Sequence, residues 1–161
     1  MLDTADTWKT PIVIISADIQ SAFDSMRHED ILQSMKDHHI PDKLTAAFAR
    51  ELALLIASAT LEGITSAQDA KYRRGVRRGG TEGPFQWNLA TDSILKDCVK
   101  EWQRKGYGIN TSDNTRITNL FWADNFFIVT RHLSEARNMM QCLTRCITRH
   151  RLRWKSTSLQ I

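Results

Sequence analysis

Little in the sequence marks an extracellular, membrane-spanning or low-complexity chain. Its three cysteines, Cys98, Cys142 and Cys146, are an odd set without a C-x-x-C word, so their spacing suggests neither a disulfide framework nor a zinc site. An intracellular, reducing compartment fits that usage, with nucleus or cytoplasm left open. No apolar run approaches the roughly 18–20 residues that cross a bilayer, and no basic segment leads into one at the N-terminus. A soluble chain without a membrane partner is therefore expected. His28, His38, His39, His132 and His150 lack the spacing of a zinc ligand set. Repeats, low-complexity tracts and linkers are missing as well, and 161 residues at 42% hydrophobic content suffice for one core. A single domain over residues 1–161 is expected. The 22 Lys and Arg against 18 Asp and Glu leave a net charge of +4, which favours a polyanionic partner only mildly.

What is present is a clear order of elements. Pro11 to Ile15 is a continuous apolar, β-branched run, short enough to be a strand covered on both faces, and Asp18 follows its end. His28 to Lys36 has the composition of a short helix, and Pro41 opens a second that runs through Ile56. Between Ala57 and Val76, Thr60, Ile64, Thr65 and Tyr72 among polar residues suggest a twisted hairpin. Gly75, Gly79, Gly80, Gly83 and Pro84 form a turn. A helix follows, with Asn88, Asp92, Leu95, Val99 and Trp102 on its inner line. Two β-prone runs, Ile117 to Trp122 and Phe126 to Val129, are separated only by Ala123, Asp124 and Asn125, which is hairpin spacing. Ser134 and Glu135 signal a last helix with the apolar line Leu133, Ala136, Met140, Leu143 and Ile147. A basic segment from Arg149 to Lys155 precedes Leu159 and Ile161.

Two acids occupy comparable places: Asp18 at a strand end and Asp124 at a hairpin tip. Either one alone more often caps a helix or makes a turn. If the hairpin lies beside the first strand, both carboxylates converge at one sheet edge, where hard divalent cations can bind.

The words around these acids resemble those of reverse transcriptases in order and spacing. Ala17-Asp18-Ile19-Gln20-Ser21-Ala22-Phe23-Asp24 is similar to the first palm motif of that family, and Gly75-Val76-Arg77-Arg78-Gly79-Gly80-Thr81-Glu82-Gly83-Pro84 to the second. Trp122-Ala123-Asp124-Asn125 resembles the third, a hairpin that normally reads Tyr-Ala-Asp-Asp, and Leu152-Arg153-Trp154-Lys155 resembles a fourth more weakly. Three such words in the family's order, each in its strand, turn or hairpin context, are specific together where one alone is not. The Ala-Phe-Asp wording and short intervals look most like non-LTR (LINE-like) retrotransposons, with group II introns and retrons as alternatives.

The resemblance implies an α+β fold: a palm-type antiparallel sheet packed on helices, with the palm core at about residues 11–155, partial fingers and no thumb. It implies RNA-directed DNA polymerase activity, in which a primer 3′-hydroxyl attacks the α-phosphate of a nucleotide and pyrophosphate leaves. Two Mg2+ ions, or Mn2+, about 3.5–4 Å apart would stabilise the attacking and leaving oxygens. Asp18 and Asp124 would hold them, with the Ile19 carbonyl as a further ligand. Phe23 matches the aromatic beneath the incoming sugar that excludes a 2′-hydroxyl, although a core phenylalanine is the ordinary alternative. Arg78 and Gly79 would stand at the nucleotide, and Gly79 and Gly80 would allow close backbone approach. Lys155 would steady pyrophosphate. Lys71, Arg73, Arg74, Arg77 and Arg78 place five cations within eight residues, a run that could meet template or primer phosphates or remain a solvated loop. The implied partners are an RNA template, a DNA primer and deoxynucleoside triphosphates.

Several positions depart from the family pattern. Asn125 replaces the second acid of the hairpin word, which lowers the expected metal affinity. Arg78 stands where glutamine is usual, and Gly83 replaces the serine before Pro84. The chain also starts just before the first palm strand, so fingers and thumb are expected from other polypeptide segments. A catalytically inactive remnant that binds nucleic acid through its basic loop is the competing expectation.

Overall fold

In the computed structural model, residues 11–54, 56–57, 60–61, 64–65, 70–71, 73–76, 79–111 and 115–161 are described. They fall into two compact units, Met1–Gln20 with Ile94–Ile161, and Ser21–Ser93.

The first unit is organised by a strand of β-branched residues, β1 (Val13–Asp18). The four small strands β2 (Ile56–Ala57), β3 (Thr60–Leu61), β4 (Ile64–Thr65) and β5 (Ala70–Lys71) belong to the second unit. Strands β6 (Ile109–Asn110), β7 (Arg116–Ile117), β8 (Asn119–Trp122) and β9 (Asn125–Thr130) return to the first. The main sheet has the order β1-β9-β8. Both pairings are antiparallel, and β1 runs in register from Val13 opposite Thr130 to Asp18 opposite Asn125. Ile15 and Ala17 are buried while Val13, Ile14, Ser16 and Asp18 are half-exposed. That alternation corrects the expectation of a strand covered on both faces, because an antiparallel strand buries one face and leaves the other accessible. The strand also runs on through Asp18 rather than stopping at Ile15.

Ile117 is not part of the hairpin. It pairs with Ile109 in the two-stranded β6–β7 ribbon, and the hairpin strand starts two residues later at Asn119. The break falls at buried Thr118, whose carbonyl accepts the Val129 N–H at 2.9 Å. Gly108 makes this turn of the chain possible: a Cβ there would stand 2.4 Å from the Ile117 carbonyl oxygen, and its φ is +97°.

Among the described residues the helices are α1 (Ala22–Ser25), α2 (His28–Asp37), α3 (Asp42–Ala53), α4 (Gly83–Arg104) and α5 (Leu133–Arg149). Helix α5 packs on β9 and β1 through Ala136, Met139, Leu143 and Ile147. Its apolar line is rotated from the expected one: Met139 is fully buried, while Leu133 is exposed and Met140 is half-exposed. The Thr130 hydroxyl, at the end of β9, donates to Glu135 in the first turn of α5 and ties strand to helix. His132, not Ser134, occupies the N-cap position.

In α4 the buried line is Trp87, Ala90, Thr91, Ile94, Leu95, Cys98 and Trp102. Asn88 and Asp92, expected on the inner line, are exposed. The bulky apolar side chains claim the interior, and the polar groups rotate to water. In the part of α4 that belongs to the first unit, Cys98 meets Cys142 and Cys146 of α5, and Cys98 and Cys146 are bridged as a disulfide. This corrects the expectation drawn from cysteine spacing. The three residues are not close in sequence; two helices bring them together.

In the second unit Pro41 caps α3 as expected, but the helix ends at Ala53 and Ile56 pairs with Lys71 in β2–β5. A second antiparallel pair, β3–β4, lies within the same stretch of chain, in keeping with the expected hairpin character. Tyr72 lies outside the described residues. Ile31, Ser34 and Met35 of α2 and Thr45 and Leu52 of α3 are buried.

Candidate active site

The polar end of the β1–β9 pair is assembled from three chain segments joined through the main chain. Asp18 closes β1, Asp124 sits in the two-residue turn between β8 and β9, and Asn125 opens β9. Just past the strand, the Ile19 N–H donates to the Asp124 carbonyl at 3.1 Å. From the other side the Lys155 N–H donates to the Asp18 carbonyl at 2.8 Å, and the Gln20 N–H to the Arg153 carbonyl at 2.8 Å. The Asp18 N–H in turn donates to Ser158 Oγ at 2.9 Å, and that hydroxyl donates to the Lys155 carbonyl at 2.8 Å. Main-chain groups held this way fix where the Asp18 and Asp124 side chains originate without consuming their carboxylates.

The turn needs a left-handed residue. Ala123 supplies it at φ +53°, in a position more often given to glycine or asparagine. Ile19 is buried to 1% exposure and Phe126 to 3%. The Phe126 ring meets Trp154 edge-on at 5.6 Å and Phe121 edge-on at 4.4 Å. Trp154 Nε1–H donates to Thr144 Oγ1 on α5 at 3.0 Å. An aromatic cluster thus anchors an end whose acids, Asp18 and Asp124, are half-exposed and whose Lys155 is exposed.

Of the candidate residues, Asp18, Ile19, Asp124, Asn125 and Lys155 gather at this end of the first unit. Two carboxylates, an amide and nearby carbonyls are a donor set of hard oxygens, accessible to water, that suits a divalent cation of the Mg2+ or Mn2+ type. Ser158 belongs to the same bonding pattern, and the sequence carried no signal for it.

The remaining candidates lie in the second unit. Phe23, on α1, packs against Trp87 with ring centroids 5.7 Å apart, and its carbonyl accepts the Val76 N–H at 2.9 Å. The first and second motif words therefore meet along the backbone. Gly75 makes that approach possible: its φ is +83°, and a Cβ there would stand 3.0 Å from the Asp24 Cα. At Gly79 and Gly80 the expectation is close approach of a nucleotide or template rather than of the chain itself. Gly79, at φ +79°, has nothing within 4 Å of a Cβ position among the described residues, and at Gly80 only the flexible Glu82 side chain intrudes. Arg73 is exposed, Arg74 pairs with Arg27 through the backbone as an isolated antiparallel bridge, and Lys71 is in β5. Arg77 and Arg78 lie outside the described residues.

The model of the family described as reverse transcriptase (RNA-dependent DNA polymerase) matches residues 2–158. No curated protein matches the sequence. Among solved structures, the fold is similar to apo telomerase from Candida tropicalis truncated from its C-terminal domain, with a TM-score of 0.63 and 13% sequence identity over 91% of this chain. The chain spans 29% of the length of that structure.

Proposed function

Because the chain belongs to the reverse transcriptase (RNA-dependent DNA polymerase) family, we infer that it is a palm segment for RNA-templated DNA synthesis with Asp18 and Asp124 as its metal-holding acids. The observation that carries this reading is the joining of those two positions at one end of the β1–β9 pair, through the Ile19 N–H and the Asp124 carbonyl.

Paired divalent cations, when bound by such acids, supply charge stabilisation for the attacking and leaving oxygens of phosphoryl transfer. The chain's own residues do the positioning. Asp18 and Asp124 offer carboxylate oxygens from a strand end and a tight turn, both anchored by main-chain bonds, so little reorganisation is needed when substrate arrives. Lys155, exposed and tied to Asp18 through its backbone, can place an ammonium near the departing pyrophosphate. Phe23 would limit space at the sugar. At Gly79 no described residue comes within 4 Å of a Cβ position, which suits approach of a nucleotide or template, and Lys71, Arg73, Arg74, Arg77 and Arg78 would provide cations for backbone phosphates.

The Ala22-Phe23-Asp24 wording and short motif intervals support an origin in a non-LTR retrotransposon, with a group II intron or retron as the alternative. The chain spans under a third of the telomerase structure it resembles. A second reading rests on Asn125. An uncharged amide directly across from Asp18 favours a remnant that binds nucleic acid without incorporating nucleotides.

Primer extension on an RNA template with deoxynucleotides and Mg2+ or Mn2+ separates the two. Incorporation by the parent chain that is lost in both Asp18→Ala and Asp124→Ala supports the polymerase. A folded parent chain that binds template but adds no nucleotide under either metal supports the remnant.

A further inference from the structure

Away from these acids, the packing of α4 on α5 brings together four side chains with a different chemistry. Cys142 and Cys146 are four residues apart on α5 and share a face, and Cys98 and Glu101 are three apart on α4 and do likewise. The three Sγ atoms all lie within 4.8 Å of one another. Cys142 Sγ is 3.3 Å from Cys98 Sγ, and Glu101 Oε2 accepts from Cys142 Sγ at 3.5 Å. Cys98 and Cys142 are buried, and Cys146 is half-exposed.

We propose that, with the Cys98–Cys146 pair reduced, Cys98, Cys142, Cys146 and Glu101 form a zinc site that clamps α4 to α5. Three thiolates and a carboxylate are a familiar kind of zinc donor set, and sulfurs about 2.3 Å from a tetrahedral zinc stand roughly 3.8 Å from each other.

The Cα atoms of Cys98 and Cys146 are 7.4 Å apart, beyond the roughly 4.4–6.8 Å that disulfides usually span. A metal between the two sulfurs lengthens the link by two metal–sulfur bonds and accommodates that separation. A cation offsets part of the negative charge: Lys105 Nζ donates to Glu101 Oε1 at 2.6 Å.

The disulfide and the zinc site are alternative states of the same sulfurs. A dithiol reductant supplies two electrons and two protons to break the S–S bond, giving two thiols and a cyclic disulfide of the reductant. Zinc then displaces the thiol protons. Metal loading is thereby tied to the redox state of the surroundings.

The test uses the full chain reduced with a phosphine and titrated with Co2+, then Zn2+. One equivalent of Co2+ per chain that gives sulfur-to-cobalt charge-transfer absorption, counted apart from any cobalt without it and displaced by Zn2+, is expected. Cys146→Ser, at the half-exposed position, is expected to lose about one third of that absorption, since one of three thiolates is gone. Glu101→Gln is expected to keep the absorption but weaken binding at least tenfold. Asp18→Ala should leave the signal unchanged, which separates this site from the acids of the sheet. A reduced, folded chain that takes up no cobalt overturns the proposal, as does cobalt bound without charge-transfer absorption. Persistence of the disulfide under reductant, seen as an intact mass lower by two hydrogens, overturns it too.

Discussion

Asp18 stands directly across the β1–β9 ladder from Asn125, and Asp124 is the next residue back in the turn. Residues directly opposite in an antiparallel pair have neighbouring side chains on one face. Asn125 is therefore the residue paired with Asp18 across the ladder. Asn125→Asp should restore a carboxylate there and lower the Mn2+ or Mg2+ concentration that half-saturates primer extension by about tenfold, near 1.4 kcal/mol. A metal titration of parent and variant checks it. An unchanged half-saturation would show that Asn125 does not face the metal.

Gly75→Ala should destabilise the second unit. The substitution combines a left-handed backbone with a Cβ pressed against the Asp24 backbone, and a cost of about 2–4 kcal/mol is expected. Neither neighbour is a flexible side-chain end, so relief requires moving α1 away from the Gly75 N–H, which donates to the Met26 carbonyl at 2.7 Å. Urea unfolding of the variant measures the loss. Gly79→Ala is the comparison: its φ is also positive but nothing crowds it among the described residues, so about 1 kcal/mol is expected.

Trp154→Ala removes the edge-on contact with Phe126 and the hydrogen bond to Thr144. About 2–4 kcal/mol of stability should go with it. The segment that carries Lys155 to the Asp18 carbonyl also loses its anchor. Trp154→Phe should recover most of the stability, since it keeps a ring but not the N–H. Thermal melting followed by circular dichroism ranks the three proteins.

Arg73 is exposed within the basic run, and Arg73→Ala tests whether that run meets phosphate. One lost contact should flatten the dependence of log K on log[salt] by about 0.7 for a single strand or 0.9 for a duplex, equally for unrelated sequences. A slope that does not move would assign Arg73 to the solvated surface.

The elements that the sequence disclosed are those set by local pattern. The β-branched run ending near Asp18 and the close spacing of two apolar runs about Asp124 specify a strand and a hairpin through side-chain periodicity alone. Helix α2 was likewise legible from its composition and occupies His28–Asp37. Features that depend on a distant partner were not. The buried faces of α4 and α5 are chosen by what each helix packs on, which moved Asn88 and Asp92 out to solvent and Met139 inward. Gly75 needs its φ because Asp24 is close, and no composition rule announces a neighbour 51 residues away in sequence, a separation visible only by numbering. Ser158 joins the site through main-chain bonds of an irregular segment, which leave no periodic trace. The spacing of the cysteines in sequence matches no metal word, while Cys98 and Cys142 are brought together across 44 residues.

The segment around Trp154 to Gln160 lies along the outer side of β1. Ser16 and Gln160 exchange both backbone hydrogen bonds at 2.9 Å, and Ile19 bridges Trp154. A bare strand edge is a template for pairing with any other extended chain. These few bonds therefore act as a cover against intermolecular β-pairing, and chains shortened before Leu152 should assemble into higher-order species through the very strand that bears Asp18.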